Sequence, residues 1–379
     1  MEHFIGCDVH TRHQVVAWID AETGEIKKRR LEHGGEEVGK FYAQFPRGTV
    51  VGIEATLPAY WFERFVGELG LELWVGDAAR IRASEVRDQK TDDRDAEDIG
   101  DLLRTGRLPR LWVPSVAERD LRQLLVHRMK QVRTRTQVKN QLHALAISQG
   151  VCRKGQLWSA QGRKELENLA LLPWAARRRQ ERLEWLDRLD EQVRELDRAV
   201  EEAGRERPEV ALLRTHPGVG MVVSLAFVLT VGPMERFPNR RQLVSYLGLN
   251  PREHSSGGRQ RLGAISQQGN PRMRWLLVEA AQTAARFDPQ LRRVYQRLKS
   301  RRHSGVAKVA IARRLAVRLY WMLRRRHNDA QRVHLSGSPS SAVVPQKAGS
   351  SVGLGAGPPC TRRGGRTVNP GPDPSGSHR

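Results

Sequence analysis

The first 77 residues restrict the fold more than any other part of the chain, because their hydrophobic period alternates between that of strands and that of helices. The runs FIGCDVH, QVVAWID and EIKKRRLEH are short and β-prone, and they are separated by Thr-Arg-His and by Glu22-Thr23-Gly24. They predict a three-stranded antiparallel meander. A helix is expected from Glu37 to Gln44, followed by a buried strand in TVVGIEA. In YWFERFVGELG the residues Phe62, Phe65, Val66 and Leu69 recur at helical spacing, and LELWVGD then alternates as another strand. Three antiparallel strands followed by alternating helix and strand is the order of an RNase H-like α/β domain, which we assign to residues 1–115.

Acidic residues interrupt these elements at informative places. Asp8 follows the apolar run FIGC, and Glu54 ends the apolar run TVVGI, so each projects from a strand suited to burial. A carboxylate near the middle of a sheet is costly unless it is paired or binds a cation, and in an RNase H-like sheet those two strands are neighbours. KTDDRDAEDIGDLL then sets Asp92 and Asp95 three apart, hence on one helix face, with Asp93 pointing elsewhere. Taken alone, acids at that spacing mostly mark a solvated helix. Together with Asp8 and Glu54 they offer the hard oxygen donors that suit Mg2+ or Mn2+ at a phosphodiester.

Beyond residue 115 the character becomes helical and basic. Leu121 to Lys164 holds ten Lys or Arg and no Asp or Glu, with an apolar stripe that makes most of it helix. Its cations Arg122, Arg128, Lys130, Arg133, Arg135 and Lys139 are candidate phosphate contacts. Between Glu181 and Glu202, Leu186, Leu189, Val193, Leu196 and Val200 follow 3-4-3-4 spacing. That seam suits either a coiled coil between copies or an intramolecular hairpin with the basic helix. We assign 116–206 to this region. Residues 207–333 form a mainly helical C-terminal domain in which Pro217-Gly218-Val219-Gly220 joins two apolar helices, and the amides near Gly218 and Gly220 could hold a phosphate. His334 to Arg379 is rich in Gly, Pro and Ser and is expected to be disordered.

The second candidate for chemistry is LGLNPREHSSGGRQRLGAISQQGNPRMR. Ser255-Ser256-Gly257-Gly258 reads first as a flexible turn. Its functional reading is a serine hydroxyl beside Arg259 and Arg261, with Arg274 further on, placed to stabilise a pentavalent phosphorus. Lys plus Arg is 65 against 42 Asp plus Glu, a net charge of +23, so a polyanionic partner is expected. The 39% hydrophobic content excludes disorder of the whole chain. No apolar run reaches the roughly 20 residues that span a bilayer, and MEHFIGCDVH lacks the layout of a signal peptide. A cytosolic, nucleoid-associated protein without a membrane partner is expected. Cys7, Cys152 and Cys360 form no CxxC pair, so neither a disulfide framework nor a cysteine zinc site is expected.

FIGCDVHTRHQVVAWID, GIEAT, KTDDRDA, the PGVG turn and FPNRRQLVSYLGLNPREHSSGGRQRLGAISQQGNPRMRWLLVEAA, in that order over residues 3 to 325, resemble the DEDD transposases of bacterial insertion sequences, which are recombinases guided by a bridge RNA. The resemblance implies a RuvC-like domain whose four acids are Asp8, Glu54, Asp92 and Asp95. It also implies a C-terminal transposase domain whose nucleophilic serine precedes a glycine, which matches Ser256. A divalent metal, DNA at element ends and target, a structured guide RNA, and homodimers or homotetramers joined through the coiled coil, with composite sites in which one subunit's acids meet another's serine, are implied as well. Two other readings compete: a Holliday-junction resolvase that hydrolyses with water, and a non-enzymatic basic nucleic-acid-binding protein with structural acids.

Overall fold

The computed structural model describes residues 3–19, 24–55, 60–84, 92–151, 155–256 and 258–336, with the side chains at 84, 92 and 327–336 outside that description. Strands β1 (Phe4–Val9), β2 (His13–Ile19), β3 (Ile26–Glu32), β4 (Val50–Glu54) and β5 (Glu72–Gly76) form one sheet in the order β3-β2-β1-β4-β5. β2 runs antiparallel to β1 and β3, whereas β4 is parallel to β1 and β5 parallel to β4. The meander and its mixed continuation are therefore the RNase H-like arrangement expected from the sequence. Helices α1 (Glu37–Tyr42) and α2 (Tyr60–Glu68) provide the connections that parallel pairing requires. On the edge strand β3 only Leu31 is buried, and Lys27, Lys28, Arg29 and Arg30 protect that edge from pairing with another chain.

The two-residue period of the strands sorts the sheet into two faces. Ile5, Cys7, Val51 and Ile53 join Phe41, Tyr42 and Phe62 in one core. Phe4, Gly6 and Asp8 of β1, with Val50, Gly52 and Glu54 of β4, point to the opposite face. Helices α3 (Ala78–Ser84) and α4 (Asp92–Arg104) follow β5, and Ile81, Ile99 and Leu103 pack with Val50 there. α4 lies directly on the sheet, because a Cβ at Gly6 would sit 2.0 Å from the Ala96 carbonyl oxygen and one at Gly52 would sit 2.6 Å from Leu103 Cδ1.

The helix α5 (Val116–Ser148) opens on a capping box in which the Ser115 hydroxyl accepts from the Glu118 amide and Glu118 accepts from the Ser115 amide. It ends before Gly150, whose φ is 78°, so the long basic stretch is one helix followed by a turn and the short α6 (Ala160–Glu167). α7 (Pro173–Arg205) returns against α5. Val138, Leu142 and Ala146 meet Leu183, Leu186 and Leu189 in a shared core. The 3-4-3-4 seam is thus occupied by α5 of the same chain. Val200 continues the seam into the C-terminal core, and Leu196 is half-buried.

That core is built from α8 (Pro208–Arg214), α9 (Met221–Val231), α10 (Arg240–Tyr246), α11 (Pro271–Phe287), α12 (Pro289–Lys299) and α13 (Ser304–Ser336). A two-stranded hairpin, β6 (Pro251–Glu253) and β7 (Leu262–Ile265), stands between α10 and α11. α9 is apolar all round and correspondingly central, with Leu225, Phe227 and Leu229 fully buried. Among the described residues no helix is long and apolar enough to cross a membrane. Residues 1–327 make one compact unit; the segment expected to be disordered lies, beyond residue 336, outside the described residues.

Candidate functional site

Parallel pairing of Cys7 with Ile53 sets the next residues, Asp8 and Glu54, side by side where β1 and β4 end. Ligands of α/β sheets bind at such carboxyl ends. Both side chains are withdrawn from solvent, with relative exposures of 12% and 9%. Each has a basic side chain beside it: His10 Nε2 lies 3.1 Å from Asp8 Oδ2, and Arg82 Nη2 lies 3.4 Å from Glu54 Oε1. The His10 ring stacks on His13 at 4.6 Å. His33 packs edge-on to Trp61 at 4.8 Å, and burial holds its imidazole pKa below the usual value.

The direction of α4 brings its acids to the same end. Ala96 and Gly100 cover Gly6, while Ile99 and Leu103 lie further back toward Val50, so the first turn extends over the end of β1 that bears Asp8. Asp95 is half-buried on that turn and Asp93 is exposed. The side chain of Asp92 lies outside the described residues. One turn on, Asp98 has its carboxyl pKa raised, by burial first and then by Asp95, Asp101 and Glu97. Lys28 of β3 ties this helix to the meander through Glu97 at 2.6 Å.

Among the described residues no group of three or more His, Cys, Asp or Glu side chains is close enough to hold a metal ion. What is built is a pair of buried hard-oxygen donors at adjacent strand ends, facing an acidic helix turn. Their burial and chemistry fit a divalent cation such as Mg2+. His10 and Arg82 escaped the sequence reading. His10 stands two residues beyond Asp8 in the same motif, so a signal existed, whereas Arg82 has none without the fold. Cys7, between the acids and the core, is buried beside Gln14 and Tyr42, and burial pushes its thiol pKa up to about 12.

Ser255 and Ser256 lie between β6 and β7, with Gly257 outside the described residues, and the two serines differ. Ser255 Oγ donates to Glu253 Oε1 at 2.6 Å and accepts from the Arg261 amide at 3.2 Å. It staples the two strands, alongside the His254 amide donating to the Arg261 carbonyl. Ser256 is exposed, its backbone bridged to Arg259, and its hydroxyl has no hydrogen bond among the described residues. Arg259 and Arg261 are exposed beside it. Arg274 instead turns inward and donates to the Gln268 and Leu247 carbonyls.

The basic helix divides in the same way. Arg122 is half-buried and donates to the Leu229 carbonyl, where α9 ends, with its guanidinium 5.2 Å from the Trp112 ring. Arg128 pairs with Asp197 at 2.7 Å and Arg135 with Asp190 at 3.2 Å, and Lys139 lies over Trp158 at 5.1 Å. Lys130 and Arg133 are exposed. At the PGVG turn Gly218 has φ of 84° and a Cβ there would meet the Ala284 amide at 2.5 Å, so its close approach to α11 accounts for that glycine. Gly220 caps α9 and is exposed.

A cleft of ≈ 480 Å³ lies between the Ile53 and Val75 face of the sheet and the C-terminal core. Ala55, Tyr60, Trp112, Arg119 and Arg272 are among its walls, and Arg119 lies 4.7 Å over the Tyr60 ring while pairing with Glu63 at 2.6 Å.

The chain matches a family described as Transposase IS116/IS110/IS902 over residues 210–296, and a second model, described as Transposase, of the IS110 DEDD type, over residues 5–147. It is 27% identical over 328 residues to a probable family 20 transposase of Pseudomonas aeruginosa, covering 84% of this chain and 96% of that one. It is 30% identical over 309 residues to the putative transposase y4qE of Sinorhizobium fredii, covering 78% and 75% respectively. With the transposase for insertion sequence element IS1328 of Yersinia enterocolitica it shares 26% identity over 287 residues, 72% of this chain and 83% of that one.

Proposed function

We propose, because the chain belongs to the IS116/IS110/IS902 family of insertion-sequence transposases, that it cuts and rejoins DNA through a phosphoserine link at Ser256, with Asp8, Glu54, Asp92 and Asp95 as its metal-binding acids. The observation that carries this reading is the burial of Asp8 and Glu54 side by side at the ends of β1 and β4. Two carboxylates so close and so withdrawn from water are stable only with cationic company. A divalent ion, Mg2+ or Mn2+, supplies Lewis-acid stabilisation of oxygens at the phosphorus when bound.

The hairpin supports the choice of nucleophile. Ser255 is occupied in holding the strands together, whereas the Ser256 hydroxyl is open to a strand. Its Oγ forms the new bond to phosphorus as the bond to the departing strand oxygen breaks, and the serine proton ends on that oxygen. Arg259 and Arg261 are placed to offset charge gathering on the phosphate. Exposed Lys130 and Arg133 supply phosphate contacts that set affinity rather than sequence choice. A structured guide RNA and assembly into homodimers or homotetramers belong to the same reading, supported by the motif set and the basic, acid-free face of α5.

The test is a denaturing gel. Wild type incubated with element-end DNA and Mg2+ is expected to give a protein–DNA adduct that Ser256→Ala does not form although it still binds. Cleavage by Ser256→Ala at the wild-type rate, without adduct, would replace this reading with a nuclease that uses water.

A further inference from the structure

Residues 105–115 join the acid-bearing sheet to α5, and they are fixed to the sheet before they leave it. The Pro109 carbonyl accepts from the Asp77 amide at 3.0 Å and the Leu111 amide donates to the Val75 carbonyl at 2.7 Å, so 109–111 runs along the edge of β5. The Arg110 guanidinium lies 4.4 Å from the Trp74 ring. Trp112, the next residue but one, is therefore held with the sheet, while its ring reaches the C-terminal core.

What the ring reaches is the end of α9. A helix leaves its last four carbonyls without intrahelical partners, and α9 has no basic residue in its last turn to meet them. Other elements supply the donors: Arg122 of α5 donates to the Leu229 carbonyl, the Tyr246 hydroxyl to that of Thr230 at 3.3 Å, and Arg236 to that of Val231. Anchored in this way, the guanidiniums of Arg122 and Arg236 stand 5.2 and 4.3 Å from the Trp112 ring, within reach of cation–π attraction. Gly232 completes the seat. Its φ of 67° favours glycine, and a Cβ there would sit 2.5 Å from Trp112 Cζ2 and Cη2. Beside the seat the sheet and the C-terminal helices stand apart, because the ≈ 480 Å³ cleft that Trp112 also lines separates Ile53 and Val75 from Met273 and Leu276 of α11. The first turns of α5 make a second tie, with Arg119 paired to Glu63 of α2 at 2.6 Å and Arg122 bound to α9. Any pivot about residues 105–115 would carry Asp8 and Glu54 with the sheet.

We propose that Trp112 is a positioning residue: seated on Gly232 between Arg122 and Arg236, it fixes the orientation of the acid-bearing sheet against the helical body that carries Ser256, and so sets where the acids meet the reacting phosphate. The inference rests on the proposed DNA cleavage. It holds whether the serine beside those acids belongs to the same chain or to another copy, since either arrangement depends on how the sheet is held.

Two measurements on the full-length chain test it. The first reads geometry without chemistry, as double electron–electron resonance between spin labels at Glu36→Cys on α1 and Ser300→Cys after α12, with Cys152 and Cys360 replaced by Ser and labelled chain diluted in unlabelled. Cys7 is buried and takes no label. Trp112→Ala is expected to broaden the distance distribution. Gly232→Ala is expected to do the same, because relieving its contact from 2.5 Å to about 3.4 Å displaces the ring by about 0.9 Å. Trp112→Phe, which keeps a ring, should return the distribution close to that of wild type. The second measurement is the rate of scission of element-end DNA with Mg2+ at saturating DNA. A misplacement near 1 Å far from the chemistry costs about 100-fold, so Trp112→Ala and Gly232→Ala should each slow scission about 100-fold with DNA affinity within about two-fold, and Trp112→Phe should recover to within about ten-fold of wild type. In the double variant the added Cβ has no ring to meet, so scission should be no slower than in Trp112→Ala. Distances unchanged in either single variant overturn the proposal, as does a broadened distribution with scission at the wild-type rate. A scission loss that matches the loss of folded chain in urea unfolding, or that more DNA restores, overturns it too. A wild type that cuts no DNA would refute the proposed function instead, and the distances would then decide the seat by themselves.

Discussion

Replacing Gly6 by alanine tests whether the acidic end of the sheet depends on how closely α4 lies upon it. An added Cβ would sit 2.0 Å from the Ala96 carbonyl oxygen and 2.4 Å from the Gly100 amide nitrogen. Both are helix backbone and cannot rotate away. Restoring a 3.4 Å separation requires α4 to retreat by about 1.4 Å, which uncovers Ile99 and Leu103 and carries Asp95 away from Asp8. Overpacking of this kind costs about 1–3 kcal/mol, and a backbone clash lies at the upper end, about 3 kcal/mol. At Gly52 the Cβ meets Leu103 Cδ1 at 2.6 Å, a side chain that can change rotamer, so about 1 kcal/mol is expected. Gly100 faces Gly6 from the helix, yet its Cβ would find nothing nearer than 3.7 Å. There alanine gains helix propensity and should stabilise by up to about 1 kcal/mol. Urea unfolding followed by tryptophan fluorescence reads the series, and Mg2+-dependent cleavage of element-end DNA reads the site. Gly6→Ala is expected to lose both stability and cleavage, and Gly100→Ala neither. Equal effects of the two would refute the argument that direct seating of α4 holds the acids in place.

Mg2+ or Mn2+ should raise the melting temperature of wild type and not of Asp8→Asn, since binding to the folded state alone stabilises by mass action; equal rises would remove the metal assignment. Ser255→Ala should keep strand transfer while lowering the hairpin's resistance to proteolysis, because it removes the staple to Glu253 and Arg261, whereas Ser256→Ala should do the reverse. Arg133→Gln should reduce the salt slope of DNA binding by about 0.9, but Arg135→Gln, whose partner is Asp190, should act mainly on stability. Asp288 caps α12 and accepts from Arg318; burial raises its carboxyl pKa, yet the Leu291 amide and Arg318 outweigh that and leave it lowered. Its contribution is therefore complete above the unfolded value of about 3.9 and lost as pH falls through the lower folded value, so Asp288→Ala should cost about 1 kcal/mol at pH 7 and flatten the acid limb of the stability profile.

The strand and helix order of residues 4 to 77 was legible because a period of two and a period of 3.6 are local properties, written in side chains a few residues apart. Asp8 and Glu54 were legible for a related reason: a carboxylate closing an apolar strand contradicts its surroundings, and that contradiction is visible without coordinates. The basic helix was readable as a helix, but its cations were not separable. Arg128 and Arg135 find Asp197 and Asp190 on α7, and Arg122 finds a carbonyl of α9, so which arginines remain for phosphate depends on helices 50 to 110 residues distant. The seam on α7 carried the same ambiguity, because a 3-4-3-4 stripe specifies that an apolar partner covers it and not which chain supplies that partner. At the SSGG turn the motif pointed to Ser256 because it precedes a glycine, but the separate task of Ser255 was not legible, since it comes from the hairpin register that sets Ser255 against Glu253 and Arg261. His10 could be found beside Asp8 because a single residue separates them along the chain. Arg82 could not, since its approach to Glu54 is created by β4 and α3 meeting at one end of a sheet, and packing between distant segments leaves no trace in local spacing.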